Sequence, residues 1–427
     1  MRIVLKQGRD FAVRAGHPWI FSGAIERVDD PETAGGVGEV HGADGRFLGR
    51  GSWNPTTSIA VRMLTRGEEA VDAVFVRRRL ETALRWRRTL RGSDAWRLVN
   101  GEGDQLPGVV VDRYGDFLVA QFLTAGAERL KPWIVEGLET LCAPRGIFER
   151  SEGNVRRAEG LAASNDVLAG AEPPTAIVIE ESGRRYAVDV RGGQKTGFFL
   201  DQRPNRDLVA TLAADRRVLN LFAYTGAFAI AAAQGGAAHV TSVESSAAAL
   251  AHAEESFALN GYAPERATFV RADVFTYLRG ELPAADLVIV DPPPFARRRM
   301  DRERALAGYK DVNLHALRHV AVDGLLMTFS CSQHVDGEAF QGAVAAAAAD
   351  AGRECQLVAR LGPGLDHPQA LAHTEGRYLK GLLLRVTGVL PPRPEGAGLE
   401  PRAPRRQAPS ERGAAGVAGR RRRGRER

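Results

Sequence analysis

The chain has 427 residues, 44% of them hydrophobic, and a formal net charge of +6. This length exceeds what one hydrophobic core usually serves, so we expect roughly three folding units. No uncharged apolar run reaches the ~18 residues that a membrane helix needs, and no secretory leader follows the first residues, which predicts a soluble, cytoplasmic protein without membrane partners.

Residues 1–183 are predicted to contain two small units. Residues 1–68 alternate strand-like runs such as "RIVL" and "WIFSGAI" with turns rich in Gly, Asp, Asn and Pro, which is typical of a small β-barrel or sandwich. Residues 70–90 then place Val74, Leu80 and Leu84 at helical spacing and predict a connecting helix. Residues 69–183 as a whole are interpreted as this helical connector followed by a small α+β domain.

The segment 184–390 alternates short apolar strands with helical stretches. This pattern indicates a mostly parallel sheet covered on both faces, so the predicted fold class is α/β. The predicted strands are "RVLNLF", "HVTSVE", "ATFVRAD", "ADLVIVD", "GLLMTFS" and "YLKGLLLRV".

The residues that follow these strands are the candidates for a site, because open α/β sheets bind ligands beyond the carboxyl ends of their strands. Gly226 allows a tight turn into a helix whose N-terminus faces a polar ligand. Glu244 lies 24 residues after Asn220, near the ~20-residue offset at which an acid meets ribose hydroxyls. Asp273 is a candidate acceptor from an adenine amino group, although a lone acid at a strand end is more often a helix cap.

The motif "DPPPF", residues 291–295, is the sharpest local feature. Pro293 and Pro294 make a stiff loop with few backbone donors, and Phe295 offers a ring on which a base can stack. A planar base held there would have Asp291 at its edge. The simpler interpretation is a rigid turn without a binding role.

Several motifs in order, "DQRPNR", "VLNLFAYTGAF", "DPPPF", "GYKDVNLHAL", "TFSCS" and "YLKG", resemble the RlmI-type family of S-adenosylmethionine-dependent 23S rRNA cytosine-5 methyltransferases. "GHPWIFSGAI" resembles the start of their N-terminal PUA domain, an RNA-binding β-barrel. The resemblance covers residues 2–388 and implies a Rossmann-like class I methyltransferase domain behind the two smaller domains. It also implies S-adenosylmethionine as cofactor and rRNA, in 23S or in an assembly intermediate, as partner; a homodimer is left open.

The resemblance assigns the chemistry to two residues. Cys331 would be the nucleophile that adds to C6 of cytosine, because a thiolate is strongly nucleophilic and can leave again. Asp291 would contact N3 and the exocyclic amine of the same base. Cys331 is one of three widely spaced cysteines, with Cys142 and Cys355, that fit neither a disulfide framework nor a metal site. The alternative for Cys331 is an inert buried thiol.

The segment "GGQKTGFFLDQR" borders the cofactor in the family, so Gln202 and Arg203 are expected to hold the methionine carboxylate. The alternative is that Asp201 and Arg203 cap or pair within a linker. The complete predicted cofactor set is Gln202, Arg203, Asn220, Phe222, Tyr224, Gly226, Glu244, Asp273, Val274 and Asp291. The predicted substrate set is Pro292, Pro293, Phe295 and Lys195, and no metal is expected.

Two other functions stay open at this point. Methylation of a ring or exocyclic nitrogen, such as guanine N7 or adenine N6, uses a similar proline loop but requires no thiol. A non-catalytic RNA-binding protein would use the sheet only as a scaffold, although acids at three strand ends disfavour that interpretation.

Residues 391–427 hold eleven Arg and four Glu, a charge of +7, whereas residues 1–390 sum to −1. This Pro- and Gly-rich segment has too few apolar residues to fold alone and is predicted to be a disordered arm. It is interpreted either as a phosphate-binding arm or as a solvated tail.

We expect deletion of residues 391–427 to weaken RNA binding and to flatten its salt dependence, because fewer counterions are released when fewer arginines contact phosphates. Affinity for S-adenosylmethionine should not change. RNA dissociation constants measured over a series of salt concentrations test this, and an unchanged salt slope would identify the segment as a solvated tail.

Overall fold

The computed structural model describes residues 1–296 and 299–391, so the predicted arm lies outside the described residues except for its first position. The N-terminal elements are β1 (Arg2–Leu5), α1 (Phe11–Arg14), β2 (Trp19–Phe21), β3 (Ile25–Asp29), β4 (Val37–His41), β5 (Phe47–Trp53) and β6 (Ile59–Thr65). The six strands form one sheet in the order β2-β6-β5-β4-β1-β3. Ile3, Leu5, Val40 and Val61 are fully buried in its core.

A long helix, α2 (Ala73–Arg87), confirms the connector predicted over residues 70–90. It begins after Asp72, whose carboxylate accepts a hydrogen bond from the Phe75 backbone N–H at 2.9 Å. The next elements are β7 (Ala95–Asn100), β8 (Val109–Tyr114), β9 (Phe117–Phe122), α3 (Ala125–Cys142), β10 (Gly146–Ser151), α4 (Asn154–Ala158) and β11 (Ser164–Gly170). These strands form a second sheet in the order β11-β10-β9-β8-β7, followed by a hairpin of β12 (Ile177–Glu181) and β13 (Arg184–Val188).

The largest sheet has seven strands: β14 (Arg217–Leu221), β15 (His239–Glu244), β16 (Ala267–Arg271), β17 (Ala285–Val290), β18 (Val320–Ser330), β19 (Arg353–Leu361) and β20 (Lys380–Val389). Their order is β16-β15-β14-β17-β18-β20-β19. Pairing is parallel from β16 to β18, and β20 runs antiparallel to both of its neighbours. The mostly parallel sheet predicted for this segment is therefore confirmed.

Helices cover both faces of this sheet, namely α5 (Arg203–Leu212), α6 (Ala227–Gln234), α7 (Ala247–Leu259), α8 (Val274–Tyr277), α9 (Arg302–Arg318) and α10 (Gly337–Asp350). On β17, Leu287 and Ile289 pack into one apolar cluster, whereas Val288 and Val290 pack into the cluster on the opposite face. A strand buried on both faces has no polar side, which explains the uninterrupted apolar run "LVIV".

Strand β19 has no counterpart among the predicted strands. Strand β19 forms the edge of the sheet and has no buried residue; Leu357 and Val358 are 41% and 55% exposed. An edge strand of this kind lacks the apolar pattern on which sequence prediction depends.

The hairpin and the loop after it connect the second sheet to the largest one. Tyr186 of β13 shares an apolar cluster with Tyr114 of β8 and with Phe257 of α7. Arg150 of β10 donates to the Gly193 carbonyl in the loop at 2.6 Å. The predicted boundary between residues 183 and 184 falls within this hairpin.

None of the helices in the described parts of the chain combines the length and the apolar character that crossing a bilayer demands.

Candidate active site

The predicted site residues converge because the parallel strands end together. Val290, the last residue of β17, pairs with Leu221 of β14 and with Thr328 of β18. Strands in this register place the residues that follow them at one edge of the sheet. The candidates at this edge are the turn 222–226, Glu244, Asp273, Asp291–Phe295 and Cys331.

The turn between β14 and α6 has a strained backbone. Phe222, Tyr224 and Gly226 have φ angles of 56°, 47° and 72°, a region that side-chain-bearing residues rarely occupy. A Cβ on Gly226 would lie 2.7 Å from the Cβ of Ala253 on α7, so only glycine fits there. Strained turns of this kind cluster at ligand-binding sites.

The carboxylate of Glu244 is oriented by the backbone around it. Its Oε2 accepts from the Tyr224 N–H at 3.0 Å, and its Oε1 accepts from the Ser246 N–H at 2.9 Å and from the Ser245 hydroxyl at 3.1 Å. A carboxylate oxygen can accept two hydrogen bonds, so Oε2 keeps one acceptor position. The half-buried carboxylate can therefore receive a ribose hydroxyl without changing its orientation.

The next strand end is more open. Asp273 is exposed, and its Oδ1 accepts from the Thr276 N–H at 2.9 Å and from the Thr276 hydroxyl at 3.0 Å. It is thus the N-cap of α8, the ordinary role of a lone acid at a strand end, and Oδ2 has no partner among the described residues. The Val274 side chain is buried in the core, so only its backbone can face a cofactor.

Two further groups fit a nucleoside. The Phe222 ring meets the Phe275 ring edge-on at 6.1 Å, which provides an apolar flank for an adenine. Asn220 is buried, and within the described part of the chain its Oδ1 has no hydrogen-bond donor. Buried acceptors without a partner are rare and indicate that a ligand or water completes them. The residues present therefore fit the adenosine part of S-adenosylmethionine.

Asp291 is held in one orientation by Gln202. The amide Nε2 of Gln202 donates to Asp291 Oδ2 at 3.0 Å, while its Oε1 accepts from Asn205 at 2.5 Å, which fixes the direction of the amide. Burial, and then the negative charge of Asp201, raise the pKa of Asp291 to about 7. At neutral pH, Asp291 therefore populates both its protonated and its ionised form.

Arg203 lies elsewhere. Its guanidinium donates to Glu181 Oε2 at 3.2 Å and to the Ala95 carbonyl, and it lies 3.5 Å from Asp366 Oδ2. These contacts direct the guanidinium to β12, to β7 and to the segment after β19, and they give no support to a contact with the methionine carboxylate.

Cys331 follows the last residue of β18, and its thiol is half-buried beside the proline loop. Its Sγ lies 3.8 Å from the Pro292 carbonyl oxygen. Burial, and then the negative charge of Asp291, raise the pKa of this thiol to about 12, while Lys195 and Lys380 oppose the shift. The carboxylate of Asp291 is therefore close enough to the Cys331 thiol to disfavour its ionisation.

Lys195 belongs to a charge network that the sequence did not reveal. Its Nζ lies 2.9 Å from Asp201 Oδ2, which also accepts from the Tyr378 hydroxyl at 2.7 Å. These cationic and hydroxyl contacts hold the pKa of the buried Asp201 below its usual range despite the cost of burial. The motif "YLKG" contains Tyr378 and Lys380. The scarcity of lysine, five residues against 53 Arg, is the feature of the sequence that could have indicated a role for Lys195 and Lys380.

The proline loop has a buried side and an open side. Pro292 is buried, whereas Pro293 is exposed. The Phe295 ring packs on the Tyr309 ring at a centroid distance of 4.7 Å, so one face is already covered by protein. A base would have to stack on the remaining surface of Phe295.

Comparisons with known proteins agree with this geometry. A family model for S-adenosylmethionine-dependent methyltransferases matches residues 142–327, and a model for PUA-like domains matches residues 3–66. The chain is 43% identical to ribosomal RNA large subunit methyltransferase I of Shewanella denitrificans, over 90% of this chain and 99% of the relative. The protein of the same name from Klebsiella pneumoniae is 41% identical, over 90% and 98% of the two chains.

The chain belongs to the ribosomal RNA large subunit methyltransferase I family. It is an S-adenosylmethionine-dependent methyltransferase with an N-terminal PUA-like domain, which confirms the predicted family, fold class and cofactor. A candidate SAM-dependent methyltransferase from Streptococcus mutans has the same fold at 22% identity, with a TM-score of 0.79 over 90% of this chain and 100% of the other.

We expect Glu244→Ala to weaken binding of S-adenosylmethionine by about 2 kcal/mol, a few tens of fold, because the acceptor for the ribose is lost. Glu244→Gln, which keeps one acceptor oxygen, should lose less. Isothermal titration calorimetry measures both, and equal affinity of Glu244→Ala and the parent would show that the ribose lies elsewhere.

We expect Asp291→Asn to make Cys331 more reactive toward iodoacetamide at pH 8, by roughly threefold to tenfold, because removing the carboxylate charge favours the thiolate. Near pH 6 the difference should shrink, since an acid with a pKa of about 7 is then mostly protonated in the parent. The assay uses a Cys142→Ala/Cys355→Ala background, with the exposed Asp273→Asn as control. A reactivity difference that grows toward pH 6 would contradict this assignment.

Proposed function

We propose that this enzyme forms 5-methylcytosine in 23S rRNA, free or within an assembly intermediate, through a covalent bond between Cys331 and C6 of the target cytosine. The single observation that carries the proposal is the thiol beside the proline loop, one strand away from Asp291. The relatives' name, ribosomal RNA large subunit methyltransferase I, supports rRNA as substrate.

Carbon 5 of cytosine is a poor nucleophile, and the chemistry of Cys331 corrects this. The thiolate forms a bond to C6, and the electron pair of the C5–C6 double bond becomes available at C5, as in an enamine. S-adenosylmethionine supplies the methyl group that C5 then takes. S-adenosylhomocysteine is the product left by this transfer; a base then takes the C5 proton, and departure of the thiolate restores the aromatic ring and frees Cys331.

Asp291 would stabilise the charge that develops when the thiolate adds. Negative charge moves from sulfur toward N3 of the ring, and a protonated carboxyl can donate a hydrogen bond or its proton there. The pKa of about 7 suits this role, because a proton donor works best when its pKa lies near the working pH. The hydrogen bond from Gln202 keeps the carboxyl in place.

RNA binding is supported by surface charge as well as by the PUA-like domain. Three arginines at the C-terminal end of α2 are exposed and form no ion pair with described residues: Arg85, Arg88 and Arg91. Trp86, 45% exposed between them, donates to the Leu365 carbonyl at 2.9 Å. Arginines beside an exposed aromatic ring suit phosphates and unstacked bases. A cytoplasmic location and a homodimer stay predictions.

Membership of a methyltransferase family sets aside the non-catalytic alternative. Methylation of a nitrogen remains the second candidate, because the same loop serves that chemistry without a thiol. The two differ in whether Cys331 is indispensable.

We expect Cys331→Ala to abolish methyl transfer and to leave binding of S-adenosylmethionine intact, because the thiol meets the base and not the adenosine. Cys142→Ala and Cys355→Ala should stay active. The parent should form a covalent adduct, visible on a denaturing gel, with 23S rRNA fragments that carry 5-fluorocytosine, since fluorine cannot leave as a proton. An active Cys331→Ala enzyme would overturn the covalent mechanism in favour of nitrogen methylation.

A further inference from the structure

The charges of two of the five lysines in this arginine-rich chain lower the pKa of the Cys331 thiol. They are Lys195, in the loop before α5, and Lys380, the first residue of β20. Arginine carries the same charge but spreads it over a planar group, whereas a lysine ammonium is compact and can be tuned in pKa. Lysine at these two positions indicates a need for a localised charge.

Lys380 closes the turn that Cys331 begins. Lys380 pairs with Ser330 across the antiparallel strands β18 and β20, which fixes the residue before the cysteine. Its Nζ donates to the carbonyl oxygens of Ser332 and Val335, both at 2.6 Å, which fixes the residues after it. The cysteine is thus held on both sides by one lysine.

The two lysines differ in how their charge is compensated. Lys195 is ion-paired with Asp201, which offsets its field at the thiol. Lys380 binds only carbonyl oxygens and has no ion-pair partner within the described residues. Burial lowers the pKa of Lys380 to about 8, while Cys331 and Asp336 oppose that shift, so Lys380 is mostly cationic at neutral pH.

The other described groups around the thiol disfavour its ionisation or are neutral. Asp291 contributes negative charge from the position just after β17, and Asp201 does so from the turn before α5. On the α9 side stands the Tyr309 hydroxyl, which lies 2.8 Å from Ser332 Oγ. Among the described residues, Lys380 is therefore the cation at this thiol that has no direct ion pair.

We propose that Lys380 is the positioning residue that activates Cys331: its ammonium fixes the turn 331–335 and stabilises the thiolate that attacks the base. The thiol releases its proton to solvent, Lys380 stays protonated, and the electron pair left on sulfur forms the C6–S bond. This inference rests on the proposed function, in which Cys331 is the nucleophile.

The test measures alkylation of Cys331 by iodoacetamide, without RNA, in the Cys142→Ala/Cys355→Ala background. Below the thiol pKa the rate is proportional to the thiolate fraction, so Lys380→Met should react about tenfold more slowly at pH 7, as for a one-unit rise in pKa. Lys380→Gln should behave alike, and Lys380→Arg, which keeps the charge but spreads it over a planar group, should recover only part of the rate. Lys310→Met, which loses an ion pair to Asp350 between α9 and α10, is the charge-matched control and should react like the parent.

The pH dependence separates charge from structure. Because the pKa of Lys380 is about 8, its charge fades in the parent above that pH, and the gap between the parent and Lys380→Met should narrow. Equal rates at pH 7, or a gap that persists unchanged to pH 9.5, would overturn the proposal. Calorimetry with S-adenosylmethionine establishes that each variant is folded. If Lys380→Met does not fold, Lys380→Gln serves as the variant without the charge.

The RNA adduct tests the proposed function separately from the role of Lys380. If the parent forms no adduct with 5-fluorocytosine RNA, Cys331 is not the nucleophile, whatever its alkylation rate. If the adduct forms and alkylation does not depend on Lys380, only the role of Lys380 is wrong.

Discussion

The parallel pairing of β17 with β18 is the constraint on which the site depends. With Val290 opposite Thr328, the chain leaves β17 through Asp291 and leaves β18 through Cys331 shortly beyond it, so an acid and a thiol meet at one edge. Both faces of these strands are packed with apolar side chains, which keeps water away from the floor of the site. Charges there interact more strongly than they would in solvent.

The charges around the thiol balance. Among the described residues, Asp201 and Asp291 face Lys195 and Lys380, so the ionised groups around Cys331 sum to about zero when both acids are deprotonated. The balance is uneven in space, because Asp201 is neutralised directly by Lys195 whereas Asp291 is held by the neutral amide of Gln202. A carboxyl without a direct cationic partner is the one whose pKa rises toward neutrality, and it is also the one that would face the base.

The sequence sufficed for the features that depend on local pattern. Strands buried on both faces are recognisable in the sequence as apolar runs. The residues after them lie at a ligand-binding edge whatever the details of packing. Long-range partners were not predictable in this way. Arg203 adjoins Gln202 in sequence, but the start of α5 directs the two side chains to Glu181 and to Asp291. The edge strand β19 was not predicted because it has no buried face and therefore no apolar pattern.

The hydrogen bond from Arg150 to the Gly193 carbonyl limits how the domains of such proteins can be exchanged in evolution. The loop that carries Lys195 is shaped partly by the second sheet, since the Thr196 hydroxyl lies 2.9 Å from the Tyr114 hydroxyl of β8. The methyltransferase domain is therefore not independent of the second sheet, because exchanging that sheet would also change the position of the Lys195 charge next to the thiol. The N-terminal sheet makes none of these loop contacts within the described chain, so a change in that sheet would leave the charge next to the thiol as it is.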